Sequence, residues 1–162
     1  MSTYTNSGSI TPERPDGAVV ENAGLVTARE RRNDLRQAMA WLENRVARPA
    51  ATATWATDAE AALLELEAAL DAHIAEVEGE DGLLASIVAD APRLSGQIAE
   101  MRGQHDELRA GCDRAITSLH GRVDPALVRR RVTSLLGRLA MHRQLGSELV
   151  FDAYNVDIGD GD

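Results

Sequence analysis

Four segments of the chain place apolar residues at alternating intervals of three and four positions, and this spacing constrains the fold more than any other feature. Such spacing puts a single apolar stripe on each of four amphipathic helices. The third segment is the most regular, and its stripe comprises Leu94, Ile98, Met101, His105, Leu108, Cys112, Ala115 and Leu119. Since every stripe has to be buried against another element, the sequence predicts an all-α protein with a shared core.

The other three segments follow the same rule. Their stripes comprise Leu25, Ala28, Arg32, Leu35, Met39, Leu42 and Val46 in the first segment; Ala59, Leu63, Leu66, Leu70, His73 and Val77 in the second; and Val128, Val132, Leu135, Leu139, His142, Gly146, Leu149 and Ala153 in the fourth. Prolines mark the connections, because proline is tolerated in a first helical turn but breaks a helix interior. Short connections predict an antiparallel up-down-up-down four-helix bundle.

Capping residues and glycines predict where these helices begin and end. Thr57 or Asp58 is suited to cap the start of the second helix, and Asp124 followed by Pro125 is suited to begin the fourth. Two glycines within residues 79–82 weaken the second segment and predict a bend or a break there. The resulting domain map has a disordered polar arm over residues 1–24, the bundle over residues 25–155, and an acidic tail over residues 156–162.

The charged residues exclude several classes of function. All 17 basic residues are arginine, so no lysine can act as a Schiff-base nucleophile or bind phosphate in a phosphate loop. The 26 acidic residues bring the net charge to −9, which argues against a nucleic-acid partner. The sequence has neither a recognisable nucleophile motif nor a glycine-rich phosphate loop, so we do not expect an enzyme.

The cysteine count and the hydropathy pattern predict a cytoplasmic protein. Cys112 is the only cysteine, which excludes a disulfide within the chain and suits a reducing compartment. No apolar run approaches the ~18 residues needed to cross a bilayer, and the N-terminus lacks the apolar stretch of a signal peptide. We expect Cys112 to be an inert, buried thiol and His120 to cap the end of the third helix.

Each apolar stripe is interrupted by one polar residue: Arg32, His73, His105 or His142. Counting from the turns places the four residues in roughly one layer of an antiparallel bundle. Three histidines that converge in a core can ligate a metal, because neutral imidazole suits Zn, Cu, Fe and Ni. A structural interpretation also remains open, in which each histidine simply forms a hydrogen bond in the core.

Three glutamates near these histidines are candidate additional ligands. Glu76 is three residues after His73, about 60° around the helix, so it can rim the same cavity. Glu78 is rotated about 140° away unless the helix distorts before Gly79. Glu148 follows the last histidine by six residues and projects even less directly.

The segments around these histidines are His73-Ile-Ala-Glu-Val-Glu78, Gln104-His-Asp-Glu-Leu-Arg109 and Met141-His-Arg-Gln-Leu-Gly-Ser-Glu148. Over about residues 25–155 the chain resembles hemerythrin-like domains, which are also called HHE cation-binding domains. The resemblance implies a four-helix bundle with a non-haem di-iron centre. It also implies a role in binding or sensing oxygen, in handling iron, or in the response to oxidative and nitrosative stress.

The ligand set that the resemblance implies is incomplete. Four positions where the family carries a ligand hold other residues: Arg32, Val77, Arg109 and Ser147. Arg32 replaces the first-helix histidine, and a guanidinium does not ligate metals. An oxygen-carrying di-iron site of the usual kind is therefore not expected.

Two hypotheses follow. In the first, His73, His105 and His142 bind non-haem iron with a glutamate, either as a mononuclear or as a degenerate di-iron site, and O2 or NO is the ligand that the site senses. In the second, no metal is bound, Arg32 and Arg109 pair with Glu76, Glu78 or Glu148, and the bundle is an interaction or regulatory module. Neither hypothesis identifies a protein partner, and neither involves nucleic acid or a membrane.

Overall fold

A computed structural model describes residues 23–155, and these residues are helical without any strand. The predicted acidic tail over residues 156–162 lies outside the described residues, as does the predicted arm except for its last two residues. The first helix begins at Ala23, two residues before the predicted start of the bundle. None of the helices in the described part of the chain is long and apolar enough to cross a membrane.

The chain forms four long helices and one short one. In chain order they are α1 (Ala23–Ala47), α2 (Trp55–Glu78), α3 (Leu83–Asp90), α4 (Ser95–Thr117) and α5 (Pro125–Tyr154), with a 3-10 turn at Pro92–Leu94 before α4. The all-α prediction is confirmed. The four long helices correspond to the four periodic segments, and α3 is an addition that follows the predicted break.

The predicted stripes supply two apolar clusters. The larger cluster joins α1, α2, α4 and α5, and it contains the fully buried leucines Leu35, Leu42, Leu63, Leu66, Leu70, Leu135 and Leu139. The smaller cluster surrounds α3 and contains Val77, Leu84, Ile87, Ala91, Leu94, Ile98, Met101 and Leu149. Burying one such aliphatic side chain contributes roughly 1.5–3 kcal/mol. Along α4 and α5 a histidine lies between the members of the two clusters, and along α2 His73 lies beside Ile74, the last residue of the larger cluster on that helix. A polar layer thus divides the core.

Side chains near the starts of helices bind carbonyls near the ends of neighbouring helices. The Trp55 indole Nε1 donates to Val46 O at 3.4 Å, and Arg129 Nε donates to the same oxygen at 3.2 Å. Arg131 Nη1 donates to Arg114 O at 2.6 Å, near the end of α4. These donors satisfy carbonyls that a helix leaves unpaired at its C-terminus.

The predicted start of α2 is wrong. The helix begins at Trp55, and Thr54 precedes it without a capping bond from its side chain. The reason is burial, because the Trp55 side chain packs into the core and thereby extends the helix by one turn before Asp58. The predicted start of α5 is confirmed, since Asp124 accepts a hydrogen bond from Ala126 N at 2.9 Å and Pro125 is the first helical residue.

The predicted break between residues 79 and 82 is confirmed, and its geometry requires glycine at one position. The helix α2 ends at Glu78 and α3 begins at Leu83. A Cβ atom on Gly82 would lie 2.7 Å from both Glu76 O and Val77 O. The chain therefore turns back so closely onto the end of α2 that a side chain at position 82 does not fit.

We predict that Gly82→Ala destabilises the protein by about 1–3 kcal/mol, because the new methyl group would force the backbone away from the end of α2. Gly103→Ala is the matched control, since no atom lies within 4 Å of a Cβ there and alanine favours a helix interior. Urea unfolding of both variants measures the difference. Equal stability of Gly82→Ala and the wild-type protein would contradict the close approach.

Candidate metal centre

Three buried histidines meet in the polar layer, one each from α2, α4 and α5. His73, His105 and His142 are 6 %, 1 % and 3 % exposed. One candidate ligand atom from each residue lies within 4.8 Å of the other two. Their rings are in edge contact, with the centroids of His105 and His142 4.8 Å apart. The structure therefore brings together the three histidines that the stripe pattern placed in one layer.

Hydrogen bonds orient two of the three rings. Nδ1 of His105 lies 2.5 Å from Glu78 Oε1, and Nδ1 of His142 lies 3.0 Å from Gln104 Oε1. A carboxylate oxygen only accepts, so Nδ1 of His105 carries a proton, and with Gln104 Oε1 as the acceptor Nδ1 of His142 carries one too. The two Nε2 atoms then face each other at 3.2 Å with lone pairs. A shared proton or a metal cation between the two nitrogens stabilises this contact.

The spacing of these nitrogens suits a metal ion. With metal–nitrogen bonds of about 2.0–2.1 Å, two nitrogens of a tetrahedral site lie about 3.3 Å apart. The 3.2 Å between the Nε2 atoms of His105 and His142 matches this value. An Nδ1–H that donates to a carboxylate or an amide oxygen is also the usual arrangement around metal-ligating histidines. The donor set therefore fits one metal ion between His105 and His142, and a candidate ligand atom of His73 lies within 4.8 Å of theirs.

Burial keeps two of the histidines uncharged. It lowers the pKa of His73 to about 4, with further lowering by the positive charges of His105, Arg32 and Arg143. Burial lowers the pKa of His142 to about 3, and the other two histidines add to this effect. Both imidazoles are thus neutral near pH 7, which is the form that ligates metals.

The three predicted glutamates lie outside the group of three histidines. Glu78 is the last residue of α2 and orients His105 of α4. It lies on the same face of α2 as Asp71, which also pairs with α4. Glu148 is exposed and accepts a hydrogen bond from Gln144 Nε2 at 2.9 Å. Glu76 is half-buried. The ligand group that the described residues form contains the three histidines and neither Glu76 nor Glu148.

The four substituted positions have separate environments. Arg32 is half-buried, and its charge lowers the pKa of His73. Val77 is buried in the smaller apolar cluster. Ser147 is exposed and donates to Arg143 O at 3.0 Å.

The expected pairing of Arg109 with Glu76, Glu78 or Glu148 is wrong. Arg109 Nε donates instead to Asp71 Oδ1 at 2.7 Å, in an exposed ion pair between α4 and α2. The reason is position along the helix, because Arg109 lies one turn after His105 and therefore faces the part of α2 that precedes His73. Asp71 is the carboxylate at that height.

Two residues of the site are absent from the sequence-based prediction. Gln104 orients His142, and Arg143 lowers the pKa of His73. Each is directly adjacent in the chain to a histidine of the stripe, so each lies at the edge of the stripe rather than on it. Periodicity does not select such positions, although a search for hydrogen-bonding neighbours of the histidines would include both.

The predictions for His120 and Cys112 have different outcomes. His120 does not cap α4, because its Nε2 pairs with Glu60 Oε1 at 3.0 Å across an exposed surface. Cys112 is fully buried, and burial raises the pKa of its thiol to about 12. The thiol is therefore protonated near neutral pH, as expected for an inert side chain.

Comparisons of the chain with protein-family models, with curated protein sequences and with solved structures find no match. The resemblance to hemerythrin-like domains rests on the motifs around the three histidines.

We predict that the metal-free protein loses stability as the pH falls from about 6.5 to 4. The folded-state pKa values of His73 and His142 lie below 6.5, so the unfolded chain binds up to two more protons in this range. The resulting slope approaches about 2.7 kcal/mol per pH unit at most. Urea unfolding of chelator-treated protein at several pH values measures it.

The variant His142→Asn should show about half of that pH dependence, because one of the two low-pKa groups is gone. The control His120→Asn should keep all of it, since His120 is exposed. A stability that stays constant between pH 7 and pH 5 would contradict the neutral state of the buried histidines.

Proposed function

We propose that the protein is a hemerythrin-like bundle that binds one transition-metal ion through His73, His105 and His142. The observation that carries this proposal is the 3.2 Å approach of two Nε2 atoms whose Nδ1 protons are already committed to Glu78 and Gln104. We assign the protein a role in the cytoplasm, either in sensing oxygen, iron or redox state or in storing oxygen or iron. The protein is not proposed to be an enzyme.

The donor set favours a mononuclear site over a di-iron site. Di-iron carboxylate sites in bundles use glutamates that project into the core between the metals. Here the family's bridging position holds Val77, and the neighbouring Glu78 is engaged with His105. Non-haem iron on three imidazoles would supply redox chemistry and open positions for O2 or NO. Zinc and copper are also compatible with three imidazoles.

We further propose the antiparallel up-down-up-down topology of hemerythrin-like domains. The contacts between helix ends support it, since residues that begin α2 and α5 donate to carbonyls that end α1. Arg93, just before α4, donates likewise to Asp152 O near the end of α5, at 2.6 Å. Each of these contacts joins the start of one long helix to the end of its neighbour.

A metal-free interaction or regulatory module is the second candidate. The observation that favours it is the positive charge of Arg32 and Arg143, which acts on His73 and would oppose a nearby cation. In this case a proton shared between His105 and His142 takes the place of the metal. Metal content separates the two candidates, because only the first requires a bound ion.

We predict that untagged protein, purified without chelator from cells supplemented with iron and zinc, contains about one metal ion per chain. His105→Ala should lose most of this metal, because His105 is the central ligand and its removal also releases Glu78. His120→Ala is the control, since His120 is a histidine outside the site. Elemental mass spectrometry measures the content, and metal-free wild-type protein that is stable and helical would favour the second candidate.

We also predict that Glu78→Ala weakens metal binding by about 10- to 100-fold, because the variant loses the acceptor that orients His105. Glu76→Ala is the matched control on the same helix and should bind metal within about twofold of the wild type. Competition with a chelator of known affinity measures both. A larger effect of Glu76→Ala would assign Glu76, rather than Glu78, to the metal centre.

A further inference from the structure

A small cavity adjoins the three-histidine site on the side of the smaller apolar cluster. Its volume is about 30 Å³, and its polar lining consists of Arg32, His73, His142 and Arg143. The remaining lining is apolar, except for the backbone of Gly146. No carboxylate from residues 23–155 belongs to the lining, although the chain has a net charge of −9. We call this space the basic cavity.

Two buried nitrogens of residues that line the basic cavity lack a hydrogen-bond partner. Nδ1 of His73 and Nε of Arg143 are both buried without one. The His73 side chain is more than nine-tenths buried. His73 is also the exception among the three histidines, since Glu78 and Gln104 accept from the other two Nδ1 atoms. Buried polar groups are normally paired, so these two groups point to an acceptor that the chain does not supply.

The charge around the cavity indicates what kind of acceptor fits. Arg143 lines the cavity beside His73 and places a positive charge there. A neutral water only accepts a hydrogen bond from Arg143, whereas an anion accepts it and also pairs with the positive charge. The volume exceeds the roughly 10–15 Å³ that one water needs, so a halide-sized anion fits.

We propose that the basic cavity binds a single halide-sized inorganic anion, held by the Arg143 guanidinium and the His73 imidazole. Arg32 contributes a second positive charge from α1. The anion is not a metal ligand in this proposal, and the site exists with or without a metal on the histidines. The anion site therefore goes beyond the proposed function. Its test uses metal-free protein, so that the result for the anion site does not depend on whether the protein binds a metal.

Chloride is the probe, and the broadening of the ³⁵Cl nuclear magnetic resonance line by chelator-treated protein is the measurement. We expect the wild-type protein to broaden the line in a saturable manner. Arg143→Gln should weaken chloride binding by about tenfold or more, because it removes the charged donor. Arg138→Gln is the matched control on the same helix, since its Nε is also buried and unpaired but Arg138 does not line the basic cavity.

A second variant separates anion binding from folding. Gly146 lines the cavity, and a Cβ there would make ordinary contact with Met101 Cε at 3.6 Å. Gly146→Ala therefore fills part of the cavity while it raises helix propensity, so the variant should be at least as stable as the wild type and should lose chloride binding.

Two results would overturn the proposal. If wild-type protein does not broaden the line, the cavity holds water only. If the wild type, Arg143→Gln and Gly146→Ala broaden it equally, the chloride binds at surface arginines instead.

Discussion

The close approach of the His105 and His142 Nε2 atoms organises the polar layer of the core. The two nitrogens lie 3.2 Å apart, with larger and smaller apolar clusters on either side. A positive charge between the nitrogens stabilises such a contact. A proton satisfies it in a metal-free protein, and a metal ion satisfies it when His73 joins as a third donor.

Residues at the end of α2 also contribute to the histidine layer. Glu78, the last residue of α2, lies seven positions after Asp71, so both carboxylates are on the face of α2 that contacts α4. The close return of the chain at Gly82 follows the end of α2 and precedes α3. This break adds α3 to the apolar cluster beneath the histidines.

The sequence predicted the parts of this arrangement that follow from helical periodicity. The stripes, the histidine layer and the break before residue 83 depend on spacing along single helices, and the structure confirms them. The start of α2 at Trp55, the role of Glu78 and the contact of Gln104 depend on packing between helices. The pairing of Arg109 with Asp71 likewise depends on the relative heights of α2 and α4, which one sequence does not provide.

X-ray absorption spectroscopy of the protein loaded with iron or zinc tests the three-histidine site, because it reports the atoms bound to the metal. We predict one metal ion with imidazole scattering from three nitrogens at about 2.0–2.1 Å. A first shell made only of oxygen atoms, or a second metal at short distance, would contradict it. Failure of the metal to bind at all would leave the three histidines as a proton-linked core network.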